Sequence, residues 1–305
     1  MVLLWKRLEY ATPDDAHEKR RVEWRPRGRR SLQIEEFDGT IGPYALVRKI
    51  GRGSMGTVYE AVDEAGRRVA IKVLTGELAV HEELVERFRR EAVSAAHLSH
   101  PNITKVVDFG EEGDRLYMAM ELLVGSDLKV LIEQGRTGSL QERLWIMTQV
   151  AAGMAHVHAA NLVHRDIKPG NIHVTPEGVA KIMDFGLVRL GDSNMTATGM
   201  VMGSPAYMAP EQLKGARVDA RSDIFAMGAV FYELLSGRRA FGGKGLTDLM
   251  MAVISREPVP LTECAPGTPA PVAFVVGRCL RKKPAERYGT AGELHAALEV
   301  LAFGQ

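Results

Sequence analysis

Two short motifs in the middle of the chain bring acidic, amide and basic side chains close together in sequence. The first is His164-Arg165-Asp166-Ile167-Lys168-Pro169-Gly170-Asn171, and a short apolar run separates it from Asp184-Phe185-Gly186. Carboxylate and amide oxygens are ligands of hard divalent cations, and a lysine can neutralise phosphate charge. The set fits a site that holds metal ions and a polyphosphate while an alcohol is deprotonated.

A glycine-rich turn precedes these motifs, where Gly51, Gly53 and Gly56 form the pattern Gly-x-Gly-x-x-Gly. Glycines let backbone N–H groups approach phosphate oxygens because no Cβ stands in the way. The pattern alone also occurs in dinucleotide-binding folds, where it joins a strand to a helix. Here the β-branched and aromatic residues Thr57 to Tyr59 follow it. We therefore predict that the glycines join two strands.

The elements that must position these motifs differ between the two halves of the chain. Strands are predicted over the early segments rich in β-branched and apolar residues: 44–73, 104–109 and 115–123. Apolar residues at helical spacing predict one helix over 82–98. The second half is predicted to be helical. Ser139 and Glu142 form a capping-box pattern for one helix, and Ser222 and Asp223 are predicted to open another, which Gly237 ends.

Together, these motifs resemble those of bacterial eukaryotic-like (Hanks-type) serine/threonine protein kinases, over about residues 42–302. The resemblance implies an α+β, bilobal protein kinase fold. Its small lobe would be a mostly antiparallel β-sheet with one main helix, and its larger lobe would be mostly helical. The implied divisions are a basic, flexible extension over 1–40, the N-lobe over 41–122 and the C-lobe over 123–305.

The resemblance also implies a serine/threonine protein kinase that transfers the γ-phosphate of ATP to hydroxyls of protein substrates, in signal transduction. Asp166 would accept or orient the hydroxyl proton, and Lys168 would offset charge on the moving phosphoryl group. Lys72 would hold the α- and β-phosphates and pair with Glu91. Lys168 and the segment 203–211 favour serine and threonine over tyrosine as acceptors.

The nucleotide and its metal are implied by the same resemblance. Asn171 and Asp184 would bind Mg²⁺, with Mn²⁺ as an alternative. The residues implied to bind ATP are Gly51, Gly53, Gly56, Val58, Ala70, Lys72, Met120, Glu121, Leu123 and His173. His173 departs from the family, which places an apolar side chain under the adenine. A neutral imidazole can stack there, whereas a charged one would cost desolvation energy. The alternatives are that His173 is a partly exposed strand residue and that Met120 is a core residue.

Regulation by phosphorylation is implied for the segment between Asp184 and Glu211. The candidate sites are Thr196 and Thr198, and the arginines that would bind the phosphate are Arg165, Arg189 and Arg87. A transient homodimer would serve such autophosphorylation, and a loop that is ordered without modification is the alternative. Ser204 is assigned to the substrate loop, and its hydroxyl is expected to bond Asp166 and Lys168.

Two further contacts are implied in the C-lobe. Asp223 would anchor the loop that carries Asp166, and a simple helix cap is its alternative role. Arg287 would pair with Glu211.

Length, charge and cysteine content bear on the size, binding partners and location of the protein. The 305 residues suffice for two lobes, and the net charge of +1 gives no global field for nucleic acid or a membrane. The two cysteines, Cys264 and Cys279, have no metal-like spacing, so a reducing, cytoplasmic location is expected. We expect no membrane anchor, because no apolar stretch is long enough to span a bilayer. A basic run between Lys19 and Arg30 is either a solvated extension or a docking segment for an acidic partner.

Two other functions compete with an active kinase. A pseudokinase scaffold would keep the fold but lose Lys72, Asp166 or Asp184, and all three are present. A small-molecule phosphotransferase of related fold should lack the substrate segment 203–211, which is also present.

Overall fold

The computed structural model of the chain describes residues 36–53, 56–74, 89, 96–113, 115–184 and 204–304. By its internal contacts the chain divides into residues 1–33 and 34–305, and all the described residues lie in the second unit.

Six antiparallel strands form a single sheet in the first half of the described chain, in the order β1-β2-β3-β4-β6-β5. They are β1 (Glu36–Ile41), β2 (Tyr44–Gly53), β3 (Gly56–Val62), β4 (Arg68–Leu74), β5 (Val106–Glu112) and β6 (Arg115–Glu121). Buried side chains form the core on one face of this sheet, and they include Ile41, Leu46, Ile71, Val73 and Tyr117. The rings of Tyr44 and Tyr117 pack edge to face there, with centroids 5.9 Å apart. The predicted strands are confirmed, and so is the hairpin between Gly53 and Gly56.

The first strand corrects one boundary. β1 begins at Glu36, inside the segment 1–40 that the sequence assigned to a flexible extension. It pairs with β2 through Thr40 opposite Ala45 and Ile41 opposite Tyr44. The Ile41 side chain is buried in the sheet core, and this apolar burial stabilises the strand.

Of the predicted helix over 82–98, the structure describes only residues 89 and 96–98, so that helix stays a prediction.

Helices dominate the second half of the described chain, beside a small sheet in the order β7-β8-β9. The strands are β7 (Ser126–Asp127), β8 (Ile172–Val174) and β9 (Ala180–Ile182). The helices are α1 (Leu128–Glu133), α2 (Leu140–Ala159), α3 (Pro210–Leu213), α4 (Ala220–Ser236), α5 (Leu246–Ser255), α6 (Leu261–Cys264), α7 (Ala270–Cys279) and α8 (Ala291–Phe303). In the ranges that the structure describes, no helix is both long enough and apolar enough to cross a membrane.

The predicted start of helix α2 is confirmed, whereas the predicted start of helix α4 is wrong. At the start of α2, the Ser139 hydroxyl accepts from the Glu142 N–H and the Glu142 carboxylate accepts from the Ser139 N–H, so the predicted capping box is confirmed. Helix α4 ends at the left-handed Gly237, as predicted. It begins earlier than predicted, however, because Asp219 is the residue that caps it. Asp223 therefore lies inside the helix, and its carboxylate is free for another task.

Candidate active site

The loop that follows α2 holds Asp166 beside a lysine and an amide. The Lys168 ammonium donates to Asp166 Oδ2 at 2.6 Å. The Asn171 amide donates to the same oxygen at 3.1 Å and to the Asp166 carbonyl at 2.9 Å. In the part of the chain that is described, Asp166 Oδ1 accepts no hydrogen bond. One carboxylate oxygen is therefore held by the loop, and the other can accept from a bound hydroxyl.

His164 joins this loop to the strand that leads to Asp184. Its Nε2 lies 3.2 Å from the Met183 carbonyl, which can only accept, so this nitrogen carries the proton. Nδ1 then accepts from the Asp166 N–H at 3.3 Å. Burial lowers the pKa of the enclosed His164 ring more than the nearby carboxylates raise it. The neutral ring thus keeps both contacts and fixes Asp166 relative to Asp184.

Asp223 supports the same loop from the centre of α4. Its two carboxylate oxygens accept from the backbone N–H groups of His164 and Arg165, each at 2.8 Å, and from His158 Nε2 at 2.9 Å. Arg165 has φ of 65°, a left-handed conformation that a non-glycine residue rarely adopts. A buried carboxylate that binds two consecutive N–H groups holds the backbone in this shape. The predicted anchoring contact is confirmed, and the simple cap is excluded because Asp219 has that role.

A charged contact joins the six-stranded sheet to this loop region. The Lys72 ammonium, on β4, donates to Asp184 Oδ1 at 2.9 Å. The Lys72 side chain is 5% exposed, whereas the Asp184 side chain is 47% exposed and open to a ligand. The positive charge of Lys72 lowers the pKa of Asp184, so this carboxylate is ionised at neutral pH. The Met183 N–H also donates to the Asn171 carbonyl at 2.8 Å, which places Asp184 next to Asn171.

One face of the sheet collects four of the predicted ATP-binding residues. Val58 lies opposite Lys72, and Ala70 lies opposite Met120. Directly opposed residues in antiparallel strands point to the same face, and so do residues two apart in one strand. Val58, Ala70, Lys72 and Met120 therefore share a face. Gly56 turns the chain between β2 and β3, and a Cβ there would overlap the Val73 carbonyl.

Glu121 and His173 lie where the sheet meets the helical half. The Glu121 N–H donates to the Lys105 carbonyl at 3.0 Å. His173 occupies the middle of β8, opposite Asp127 on β7 and Lys181 on β9. Burial lowers the pKa of His173, although the Val124 carbonyl and Asp127 act in the opposite direction. The imidazole is therefore neutral at pH 7, the form that the sequence analysis required for stacking.

The predicted ion pair between Arg287 and Glu211 is confirmed. Two guanidinium nitrogens of Arg287 donate to the two carboxylate oxygens of Glu211, at 2.7 and 2.9 Å. Ser222 adds a third bond to Glu211 at 2.7 Å. Burial alone would raise the pKa of Glu211, but the bonds from Arg287 and Ser222 outweigh it and lower the pKa.

Ser204 does not make the contact predicted for it. Within the described ranges, no hydrogen bond joins its hydroxyl to Asp166 or Lys168, and those two side chains bond each other directly. The described partner of the Lys168 ammonium is therefore Asp166 and not Ser204. The predicted residues that lie outside the described ranges are Glu91, Arg87, Arg189, Thr196 and Thr198.

Three residues that contact these loops were missed in the sequence analysis. His158 binds Asp223, Gln212 donates to the Arg165 carbonyl at 3.2 Å, and Lys181 binds Glu121 at 2.7 Å. Their partners lie 65, 47 and 60 positions away in the chain, so no local pattern marks them.

The antiparallel sheet and the helical half thus meet at the Lys72–Asp184 contact. The family model described as "Protein kinase domain" matches residues 44–298. The chain therefore belongs to the protein kinase domain family, and the predicted fold class is confirmed.

Several of the similar proteins are bacterial kinases. The chain is 42% identical over 271 residues to serine/threonine-protein kinase PknA of Mycobacterium tuberculosis, covering 87% of this chain and 62% of PknA. It is 39% identical over 260 residues to serine/threonine-protein kinase PrkC of Bacillus subtilis, covering 85% of this chain and 40% of PrkC. The crystal structure of the Mycobacterium tuberculosis PknI kinase domain superposes with a TM-score of 0.68 at 30% identity, covering 86% of this chain and 97% of that one. The chain thus spans less than two thirds of the length of PknA or PrkC.

Proposed function

We propose that this chain is an ATP-dependent serine/threonine protein kinase. The main support for the proposal is the Lys72–Asp184 contact, which brings the lysine of the sheet to the acidic residue of the second motif. Through Met183 and Asn171, the same contact is continuous with the Asp166 loop. Phosphoryl transfer needs this combination, because most of its catalysis is charge neutralisation and alignment.

The nucleotide is proposed to lie under the shared sheet face. Val58, Ala70 and Met120 would contact the adenine from the sheet, and His173 would close the opposite side. The backbone of Gly51, Gly53 and Gly56 would approach the phosphates. The Glu121 N–H is already bonded to Lys105, so we propose that the adenine edge meets the Glu121 carbonyl and the Leu123 backbone instead.

The residues present fit a hard divalent cation. Asp184 is ionised and partly exposed, and the Asn171 NH₂ group is used by Asp166, which leaves the Asn171 amide oxygen for a metal. In the described ranges no three His, Cys, Asp or Glu residues are grouped to hold a metal by themselves. We propose that Asp184 and Asn171 would hold Mg²⁺, with Mn²⁺ as the alternative, together with the bound nucleotide. The bound ion would neutralise charge on the β- and γ-phosphates.

The proposed chemical step follows from the Asp166 geometry. The substrate hydroxyl oxygen attacks the γ-phosphorus, the bond from phosphorus to the β–γ bridging oxygen breaks, and ADP leaves. The hydroxyl proton passes to Asp166 Oδ1, the oxygen that the loop leaves free. Lys168 lies within 2.6 Å of the other oxygen, so its charge is close to the moving phosphoryl group.

Finer points of the proposal rest on the sequence. Glu91 is proposed to share Lys72 with Asp184. Autophosphorylation at Thr196 and Thr198, in a transient homodimer, is proposed to activate the enzyme. The phosphates would bind Arg165, Arg189 and Arg87. Both cysteines are free thiols, which fits a reducing compartment such as the cytoplasm.

Transfer of labelled γ-phosphate from Mg-ATP to a generic protein substrate tests the proposal. After acid hydrolysis, we expect label on phosphoserine and phosphothreonine, and none from the Lys72→Met variant. Lys129→Met is the matched control for the loss of activity in Lys72→Met. It changes a lysine whose ion pair with Glu133 is exposed, and it should keep full activity. Absence of transfer by the wild-type chain, or label on tyrosine alone, would refute the proposal.

A further inference from the structure

A partly buried ion pair lies behind the segment that joins the two halves of the chain. The Lys181 ammonium on β9 donates to Glu121 Oε1 at 2.7 Å. The same oxygen accepts the Lys105 N–H at 2.8 Å. The side chains of Lys181 and Glu121 are 17% and 30% exposed, so the pair is more enclosed than an ordinary surface ion pair.

Glu121 is held at both its side chain and its backbone. Its N–H donates to the Lys105 carbonyl at 3.0 Å, while its carboxylate accepts from the Lys105 N–H. Glu121 also ends β6, where it lies opposite Val69. Lys105 and Lys181 thus fix the last residue of the sheet before the chain crosses to the helical half.

The backbone beside this pair already joins the two halves. The Thr104 N–H donates to the Ile182 carbonyl, and the Ile182 N–H donates to the Asn102 carbonyl, each at 2.9 Å. Lys181 precedes Ile182 on β9, so it projects from a strand whose backbone is fixed on that side. The ion pair therefore extends from a strand whose backbone is already bonded to the segment before β5.

Lys181 also lies next to the proposed floor of the nucleotide site. It is directly opposite His173 in the β8–β9 pair, so the two side chains share one face of the small sheet. The Lys181 ammonium therefore contacts Glu121, the first residue of the segment 121–123 that leads from the sheet to the helical half and is called the hinge here, and Lys181 neighbours His173. An adenine ring in the proposed site would meet the hinge with its edge and would lie on His173, so the spacing between the hinge and His173 affects where the ring can sit.

We propose that Lys181 is a positioning residue for the nucleotide: it holds Glu121 against β9 and so sets the spacing between the hinge and His173. This inference rests on the proposed function, since it assumes that a nucleotide binds at this site. Lys181 touches neither the reacting atoms nor the metal. Its loss changes nucleotide binding and leaves the chemical step intact.

Nucleotide affinity in the Lys181→Met variant tests the inference. We expect the Kd for Mg-ATP, from calorimetry, and the KM for ATP each to rise about fivefold, the ratio that corresponds to the upper range for an ion pair of this exposure. The kcat should stay within about twofold. Lys181→Arg keeps the charge and should bind nearly as the wild type does, and Lys129→Met is the control for loss of a lysine outside this site.

A double-variant cycle separates positioning from general destabilisation. Lys181→Met and Glu121→Gln should each weaken binding, and the double variant should lose little more than either single variant, because both changes remove the same pair while the introduced amide can still accept the Lys105 N–H. Wild-type Kd in Lys181→Met, or a double variant whose losses simply add, would overturn the inference. A wild-type chain that binds Mg-ATP but transfers no phosphate would refute the kinase proposal alone, and the Kd comparison would still decide the role of Lys181. A chain that binds no nucleotide would overturn both.

Discussion

Arg287 should be one of the most costly single positions in the described chain, and Arg287→Met is the substitution that measures this. The Arg287 side chain has no exposed surface, and Glu211 is 10% exposed. Besides its two bonds to Glu211, the guanidinium donates to the carbonyls of Arg221 at 2.8 Å, Arg281 at 2.8 Å and Lys282 at 3.1 Å. Methionine fills similar space but donates none of these bonds.

The expected loss follows from leaving a charge without its partner. Breaking a buried pair by removing one member costs about 3–5 kcal/mol, because the remaining carboxylate is desolvated and unpaired. The Ser222 hydroxyl still bonds Glu211, but a neutral donor compensates only about 1 kcal/mol. We therefore expect a loss of about 3 kcal/mol, or a fall of about 1 M in the urea midpoint at pH 7.

Urea unfolding followed by both circular dichroism and tryptophan fluorescence is the assay, since coincident transitions are needed for a two-state free energy. Arg287→Met with Glu211→Gln should recover part of the loss, because the unpaired charge is removed. Lys283→Met is the control, as the Lys283–Glu286 pair is exposed, and it should cost about 0.5 kcal/mol or less. A loss below about 1 kcal/mol for Arg287→Met would refute the reasoning.

The pH dependence of the same pair has a definite sign. The pKa of Glu211 is lowered from its ordinary value of 4.5. A carboxyl whose folded pKa is lowered contributes stability above the unfolded pKa and loses it as the pH falls through the folded pKa. The stability advantage of the wild type over Glu211→Gln should therefore be constant near neutrality and shrink as the pH falls below about 4.5.

Three further predictions concern the site. Asp223→Asn should lower kcat at least tenfold, because a neutral amide holds the two loop N–H groups more weakly; steady-state kinetics measure this, and unchanged kcat would contradict the anchoring role. Gly56→Ala should raise the KM for ATP and lower the thermal midpoint, because its Cβ overlaps the Val73 carbonyl, and a variant with wild-type values of both would show that the hairpin relaxes freely. Incubation with Mg-ATP should place phosphate on Thr196 and Thr198, and the double alanine variant should be less active. Mass spectrometry that finds neither threonine modified in a fully active protein would exclude that switch.

Local patterns predicted the parts of the fold that depend on neighbours in sequence. The Ser139 capping box, the glycine hairpin and the left-handed Gly237 are set by a few adjacent residues, so their types suffice to predict them. The start of α4 was wrong by a few residues, because Asp219 and Ser222 are both good capping residues and only packing decides between them. β1 was missed because its pairing with β2 depends on register, which no local pattern in the segment specifies.

Motifs predicted which residues belong to the site, but they did not predict which of those residues bond one another. The sequence placed Lys72 and Asp184 in separate motifs, but a direct bond between residues 112 positions apart depends on how the sheet meets the helical half. Lys181 was missed for the same reason. Ser204 was assigned a bond to Lys168 that the described part of the structure does not show, where the Lys168 ammonium donates to Asp166.

We propose that Asp166 serves the chemical step of phosphoryl transfer, and Asp166→Asn is the variant that isolates this role. Asparagine keeps the shape and can still meet Lys168, but it cannot accept a proton. We expect a Kd for Mg-ATP within about twofold of the wild type, an unchanged circular dichroism spectrum, and a rate of transfer lower by about 10² or more, the usual contribution of a general base. Transfer at a near-wild-type rate by the folded variant would show that Asp166 is not the base.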